Sequence, residues 1–221
     1  MFLKKIIDVK ISSGEISVIR NAKVSIQELE NQIGKLAYSG ESKSKIKEVE
    51  NAKLPAFIQV FYYLFFKNLY IPSENDFFTT YVEWLGGIKN GKLVYGDLQL
   101  DPQGIENRIK RTYPSLIRDL HFLYLLEDSK IFDNVEYSMQ MDYFNGLDLK
   151  LSYKGKEYFI SLFIDSTRGT YFKKRKKQRH DYSEIVEIEF NLDFSGMSKI
   201  GNIYLLNNSH VELLIDRINS N

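Results

Sequence analysis

The chain contains no cysteine, one tryptophan, three histidines and four prolines in 221 residues. The missing cysteine excludes disulfides and thiolate-ligated metal sites. His121, His180 and His210 lack ligand-like spacing, so a structural zinc site is not expected. Long apolar runs are also lacking. Pro55–Phe66, the most apolar segment, is interrupted by Gln59 and is shorter than the roughly 20 residues that cross a bilayer. It reads as a buried core helix. No signal-peptide apolar run follows Met1-Phe2-Leu3-Lys4-Lys5. A surplus of one charge sign is absent too: 30 Lys and Arg stand against 29 Asp and Glu, a net charge of +1. The molecule as a whole is no polycation, so any nucleic-acid surface must be local. These absences lead to the expectation of a soluble, cytoplasmic protein with no membrane partner.

Aromatic residues are abundant, with 15 Tyr and 15 Phe, which signals an ordered and well-packed chain. The length allows one large domain or two small ones. Lys4–Arg20 alternates apolar and polar residues around Ser12-Ser13-Gly14, the pattern of a hairpin. Ser25-Ile26-Gln27-Glu28 fits a capping box at a helix start. Ser39–Lys53 is polar and charged, with Ser39-Gly40-Glu41-Ser42 as a loop. Pro55 suits the first turn of the apolar helix, which runs to Asn68. Ser73 starts a further helix that Gly86-Gly87 stops, and Asn90-Gly91 marks a tight turn. A short helix is expected over Gln103–Lys110.

From Tyr113-Pro114-Ser115 onward the pattern sharpens. Leu116, Ile117, Leu120, Leu123 and Tyr124 have helical spacing. Val135–Met141 and Leu147–Tyr153 alternate as strands, and Lys154-Gly155-Lys156 is a turn. Glu157–Ile164 is apolar on both faces and is placed at the sheet centre. Phe172–Arg179 reads as a polar helix, Ile185–Leu192 and Ile203–Leu206 as strands, and His210–Ile218 as a last helix capped by Asn208 or Ser209. The expected organisation is an N-terminal, mainly helical lobe with short hairpins over 1–110 and a mixed-sheet domain over 111–221. The fold class is α+β.

Three features of the second half suggest chemistry. Asp148 opens the second strand, where Asp is disfavoured unless something requires it; it is either a water-facing strand residue or a metal ligand. Asp165 closes the third strand, and it is either a helix cap, with Ser166, Thr167 and Thr170 as rivals, or a second ligand. Arg168, Lys173, Lys174, Arg175, Lys176, Lys177 and Arg179 follow with no acid among them. Their like charges repel at i, i+4 positions such as Lys173/Lys177. A solvated helix face and a phosphate-binding surface both fit this run, and phosphate would relieve the repulsion. Mg²⁺ prefers one or two carboxylates with water and phosphate oxygens, so two acids suffice.

The order helix, three strands, helix, strand, with Gly146-Leu147-Asp148 on strand two and Asp165-Ser166-Thr167 after Glu157–Phe163 on strand three, resembles the αβββαβ core of the restriction-endonuclease-like PD-(D/E)XK nucleases. The likeness covers roughly Pro114–Leu192. It implies a metal-dependent endonuclease in which Asp148 and Asp165 hold Mg²⁺ or Mn²⁺. The lysine of that motif would stand at Thr167; Arg168 is adjacent, and Lys173, Lys174 or Lys176 would take its place from the basic helix. The resemblance thus implies Asp148, Asp165 and Lys173 as catalytic residues and DNA as the partner. The alternative is a catalytically inactive relative that binds nucleic acid or a protein through Lys173–Arg179. The oligomeric state, a dimer included, is left open.

Overall fold

The structure, a computed structural model, describes residues 10–11, 24–38, 43–54, 57–138, 141–164 and 183–220. The described residues form a mixed α+β protein with six α-helices and three sheets. They cluster into two units. One takes in the described residues of Met1–Glu28, Asp119–Lys199 and Tyr204–Asn221; the other is Leu29–Arg118 with Ile200–Ile203. No helix among the described residues is long and apolar enough to cross a membrane.

The unit built on Leu29–Arg118 is mainly helical. Helix α1 (Ile26–Gly34) starts at the expected capping box. The Ser25 amide donates to Glu28 Oε2 at 2.8 Å, and the Glu28 amide donates to Ser25 Oγ at 3.2 Å. The bond from the Ser25 amide holds the Glu28 carboxyl below its ordinary range. A short helix α2 (Lys47–Asn51) occurs in the polar Ser39–Lys53 stretch, where the sequence reading placed no helix. Its cause is tertiary: Val49 is fully buried, Arg108 Nη1 donates to the Val49 carbonyl at 2.6 Å, and Arg111 pairs with Glu50 while donating to the Ser44 carbonyl. Helices α3 (Phe57–Asn68) and α4 (Glu74–Trp84) match the sequence reading. Ser73 Oγ accepts the Asp76 amide at 3.1 Å. At the other end Gly86, at φ +107°, lets the Gly87 amide close on the Val82 carbonyl at 2.9 Å. Strands β2 (Ile88–Lys89), β3 (Lys92–Tyr95) and β4 (Leu98–Leu100) form an antiparallel sheet. Its first turn is Asn90-Gly91, both at positive φ as a type I′ turn requires.

Helix α5 (Pro102–Ser129) corrects the expectation of two helices separated before Pro114. Asp101 Oδ1 accepts the Gly104 amide at 3.0 Å, and Pro102 occupies the first turn, where its missing N–H costs nothing. Pro114 then removes one hydrogen bond from the helix interior, a loss of about 3 kcal/mol. Ile105, Ile109, Tyr113, Ile117 and Leu120 lie buried at three- and four-residue spacing around it. Each such burial contributes about 1.5–3 kcal/mol, so the stripe outweighs the break. Phe61, Phe77 and Tyr113 pack as a ring cluster with centroids 5.7–6.4 Å apart, and the Tyr113 hydroxyl donates to the Pro72 carbonyl at 2.7 Å. Tyr62 is buried, whereas Tyr63 and Trp84 are half-buried and pack on each other.

The other unit carries a five-stranded sheet in the order β1 (Lys10–Ile11), β5 (Asn134–Ser138), β6 (Leu149–Tyr153), β7 (Lys156–Ile164) and β8 (Glu187–Leu192). All neighbours are antiparallel except β7 and β8, which run parallel. Glu157–Ile164, expected at the sheet centre, lies inside the sheet between β6 and β8 but one place from the described edge, and β6 takes the middle; Lys154-Gly155 makes the β6–β7 turn with both residues at positive φ. Leu149, Leu151, Tyr158, Ile160, Ile188 and Phe190 are buried, and Phe122 of α5 stacks on Phe190 at 6.1 Å and 11°. The first strand of the expected core ends at Ser138 rather than Met141, and a π-type turn (Met141–Asn145) follows. Strands β9 (Ser198–Ile200) and β10 (Ile203–Leu205) pair with each other; only the second was legible. Helix α6 (Asn208–Asn219) is opened by Asn207, one residue earlier than the caps expected, with the Asn207 amide donating to His210 Nδ1 at 3.3 Å. The hairpin expected over Lys4–Arg20 lies outside the described residues apart from Lys10–Ile11, and so does the helix expected over Phe172–Arg179.

Gly104 marks a close approach inside the helical unit. A Cβ there would meet Val49 Cγ2 at 2.7 Å and Ile46 Cδ1 at 3.0 Å. Alanine at this position gains about 1 kcal/mol of helix propensity but overpacks a fully buried valine. Gly104→Ala is therefore expected to lower stability by about 1–2 kcal/mol. The check is a lower urea midpoint with an unchanged denaturant slope; a raised midpoint contradicts the packing argument.

Candidate acid site on the mixed sheet

Asp148 is the one member of the expected acid pair among the described residues. It lies just before β6, after a Gly146 whose φ of 68° only glycine adopts readily. The Gly146 amide closes the preceding turn on the Asp142 carbonyl at 2.9 Å, and Tyr137 donates to the Asp142 carboxylate at 3.1 Å. The chain thus arrives at Asp148 from a hydrogen-bonded turn.

The ladder is locally irregular there. Leu149 faces Ile160, yet the Asp148 amide also donates to the Ile160 carbonyl, at 2.8 Å. Two successive residues of one strand thus address one residue of the next, the arrangement of a β-bulge, which re-aims side chains. The strand itself starts at Leu149 rather than Leu147, but the expected alternation of burial holds from Leu147, with Asp148 half-buried between buried Leu147 and Leu149. Its carboxylate turns back onto β7, where Oδ2 accepts the Leu162 amide at 2.6 Å. The side chain replaces a backbone acceptor at the point where regular pairing stops. A carboxylate has about four lone-pair directions, and this charge-assisted bond uses one while fixing the orientation of the group.

The neighbouring strands supply further polar groups. Ser161 is fully buried, and its hydroxyl donates to Glu187 Oε1 at 2.7 Å. Glu189 faces Ser161 across the parallel ladder. Lys150 pairs with Glu157 at 2.5 Å and lies 5.8 Å from the Phe159 ring centroid. Beside the last strand, Glu187, Glu189, Asn191, Asp216, Arg217 and Ser220 line a cavity of about 570 Å³. Sequence reasoning missed Glu187 and Glu189, although their i, i+2 spacing on an alternating strand was the available signal. Among the described residues no three His, Asp or Glu side chains converge as a metal cluster.

The expected partners of Asp148 lie outside the described residues: Asp165, and the cations Arg168, Lys173, Lys174, Arg175, Lys176, Lys177 and Arg179. The described part of β7 stops at Ile164, immediately before Asp165. Arg118 and His121 are both buried in α5. No protein-family model, curated protein or solved structure matches the chain.

The Leu162–Asp148 bond gives a measurable expectation. A hydrogen bond to a charged group contributes about 1.5–3 kcal/mol, so Asp148→Ala should destabilise by about that amount. Asn keeps a neutral acceptor, so Asp148→Asn should lose about half as much. Chemical denaturation of the two variants checks the order, and equal losses would remove the latch role.

Proposed function

We propose that the chain is a nuclease-derived protein that acts on nucleic acid by metal-dependent phosphodiester hydrolysis, with Asp148 and Asp165 as the acids. The observation that supports this most is the bulge that turns the Asp148 carboxylate onto the C-terminal half of β7, the strand whose continuation carries Asp165. The succession of α5, three antiparallel strands and a fourth strand parallel to the third also agrees with the nuclease core that the sequence resembles. Bound Mg²⁺ or Mn²⁺ would activate a water and neutralise charge on the scissile phosphate. Asp148 fits such an ion as one of the one or two carboxylates that Mg²⁺ takes, its remaining positions going to water and phosphate oxygens. The Leu162 amide orients that carboxylate, and the cations Arg168 and Lys173–Arg179 would supply phosphate contacts, with Lys173 standing in for the motif lysine.

A second reading has its own observation. Ser161 on β7 is already bonded to Glu187, and Asp148 itself serves the backbone of β7. An acid so used suits a non-catalytic module on the same fold that binds nucleic acid or a protein through its basic segment.

One experiment separates the two. Cleavage of single- and double-stranded DNA and RNA is followed with Mg²⁺ or Mn²⁺. The hydrolytic reading expects Asp148→Asn to lose about two orders of magnitude of activity or more while staying folded. Salt-sensitive binding without cleavage, unaffected by Asp148→Asn and weakened by neutralising Lys173, Lys174 and Lys176, establishes the second reading instead.

A further inference from the structure

The chain holds two Asn-Gly pairs, Asn90-Gly91 and Asn145-Gly146, in different surroundings. In such a pair the glycine's backbone nitrogen can attack the asparagine side-chain carbonyl, because glycine has no Cβ to obstruct the approach. In a folded chain the reaction depends on whether that nitrogen is already engaged.

Asn90-Gly91 is the two-residue tip between β2 and β3, and every residue from Ile88 to Lys92 is exposed. Among the described residues neither Asn90 nor Gly91 makes a hydrogen bond. Beyond its chain neighbours, no atom lies within 4 Å of where a Gly91 Cβ would stand, so ring closure has room. Lys89 and Lys92 face each other across the turn. Like charges so opposed repel, and both favour negative charge that arises between them. Asn145-Gly146 is held differently. The Gly146 amide donates to the Asp142 carbonyl at 2.9 Å, so its nitrogen is committed to the turn.

We infer that Asn90 is a site of spontaneous modification, deamidation through a cyclic imide, and that the fold protects Asn145 from it. The Gly91 nitrogen gives its proton to solvent and bonds to Asn90 Cγ. The Cγ–Nδ2 bond breaks, and the side-chain nitrogen takes up a proton and leaves as ammonia. Water then opens the ring at either carbonyl, giving aspartate or isoaspartate. The new carboxylate offsets the repulsion of the two lysines and brings the formal net charge from +1 to zero. Isoaspartate also adds a carbon to the main chain. A two-residue type I′ turn does not accommodate it, so the pairing of β2 with β3 is disturbed.

The inference is independent of the nuclease reading and is tested on the full chain, aged in mildly alkaline buffer at body temperature. Cleavage after glutamate yields Trp84–Glu106 and Tyr137–Glu157, each with a single asparagine. The amide-to-acid mass gain in each peptide is followed with time. A hydrogen bond that must first open slows reaction by up to about ten-fold, so Asn90 should convert about ten-fold faster than Asn145. In urea the two should convert at similar rates, which assigns the native difference to the fold. Asn90→Gln should remove the acidic band that ageing produces on isoelectric focusing. The inference is overturned if the two asparagines convert equally in the native chain, if their ratio is the same in urea, or if the acidic band persists in Asn90→Gln.

Discussion

Everything about the sheet unit follows from how β7 is paired. It is bonded antiparallel to β6 on one side and parallel to β8 on the other. Ile160 sits opposite Leu149 and opposite Ile188, and all three are buried. A strand inside a sheet can be apolar on both faces, and Tyr158–Ile164 is apolar on both apart from Ser161. Ser161 and Glu189 meet because the parallel register puts them opposite each other, and Ser161 bonds Glu187.

Legibility in the sequence tracked how local the cause was. The capping boxes and tight turns, at Ser25 to Glu28, Ser73 and Asn90-Gly91, depend on a few adjacent residues and were read correctly. The strands from Glu157 and from Ile185 were legible because their side-chain period matches the pleat. Helix α2 was not, since its cause is Arg108 and Arg111 arriving from far along the chain. The continuation of α5 through Pro114 was missed for a related reason. Local rules weigh the proline's missing donor, whereas the outcome depends on burial on both sides of it.

The candidate site divides along the same line. Asp148 could be singled out because an aspartate opening a strand is unusual. Its bulge could not, because a bulge is a mismatch between two strands and leaves no mark in either one alone. The Ser161–Glu187 bond likewise joins residues of two strands that meet only through the parallel register. The basic stretch and Asp165 rest on sequence alone.

The bond from Arg217 Nη1 to the Glu189 carbonyl, 3.1 Å long, has a wider consequence. Among the described residues β8 is the last strand in its sheet, and outward carbonyls of a terminal strand are where a stray peptide would attach to extend the array. A guanidinium planted on one of them acts as a stopper. At this margin the fold carries its own safeguard against fibre growth, supplied by a single arginine.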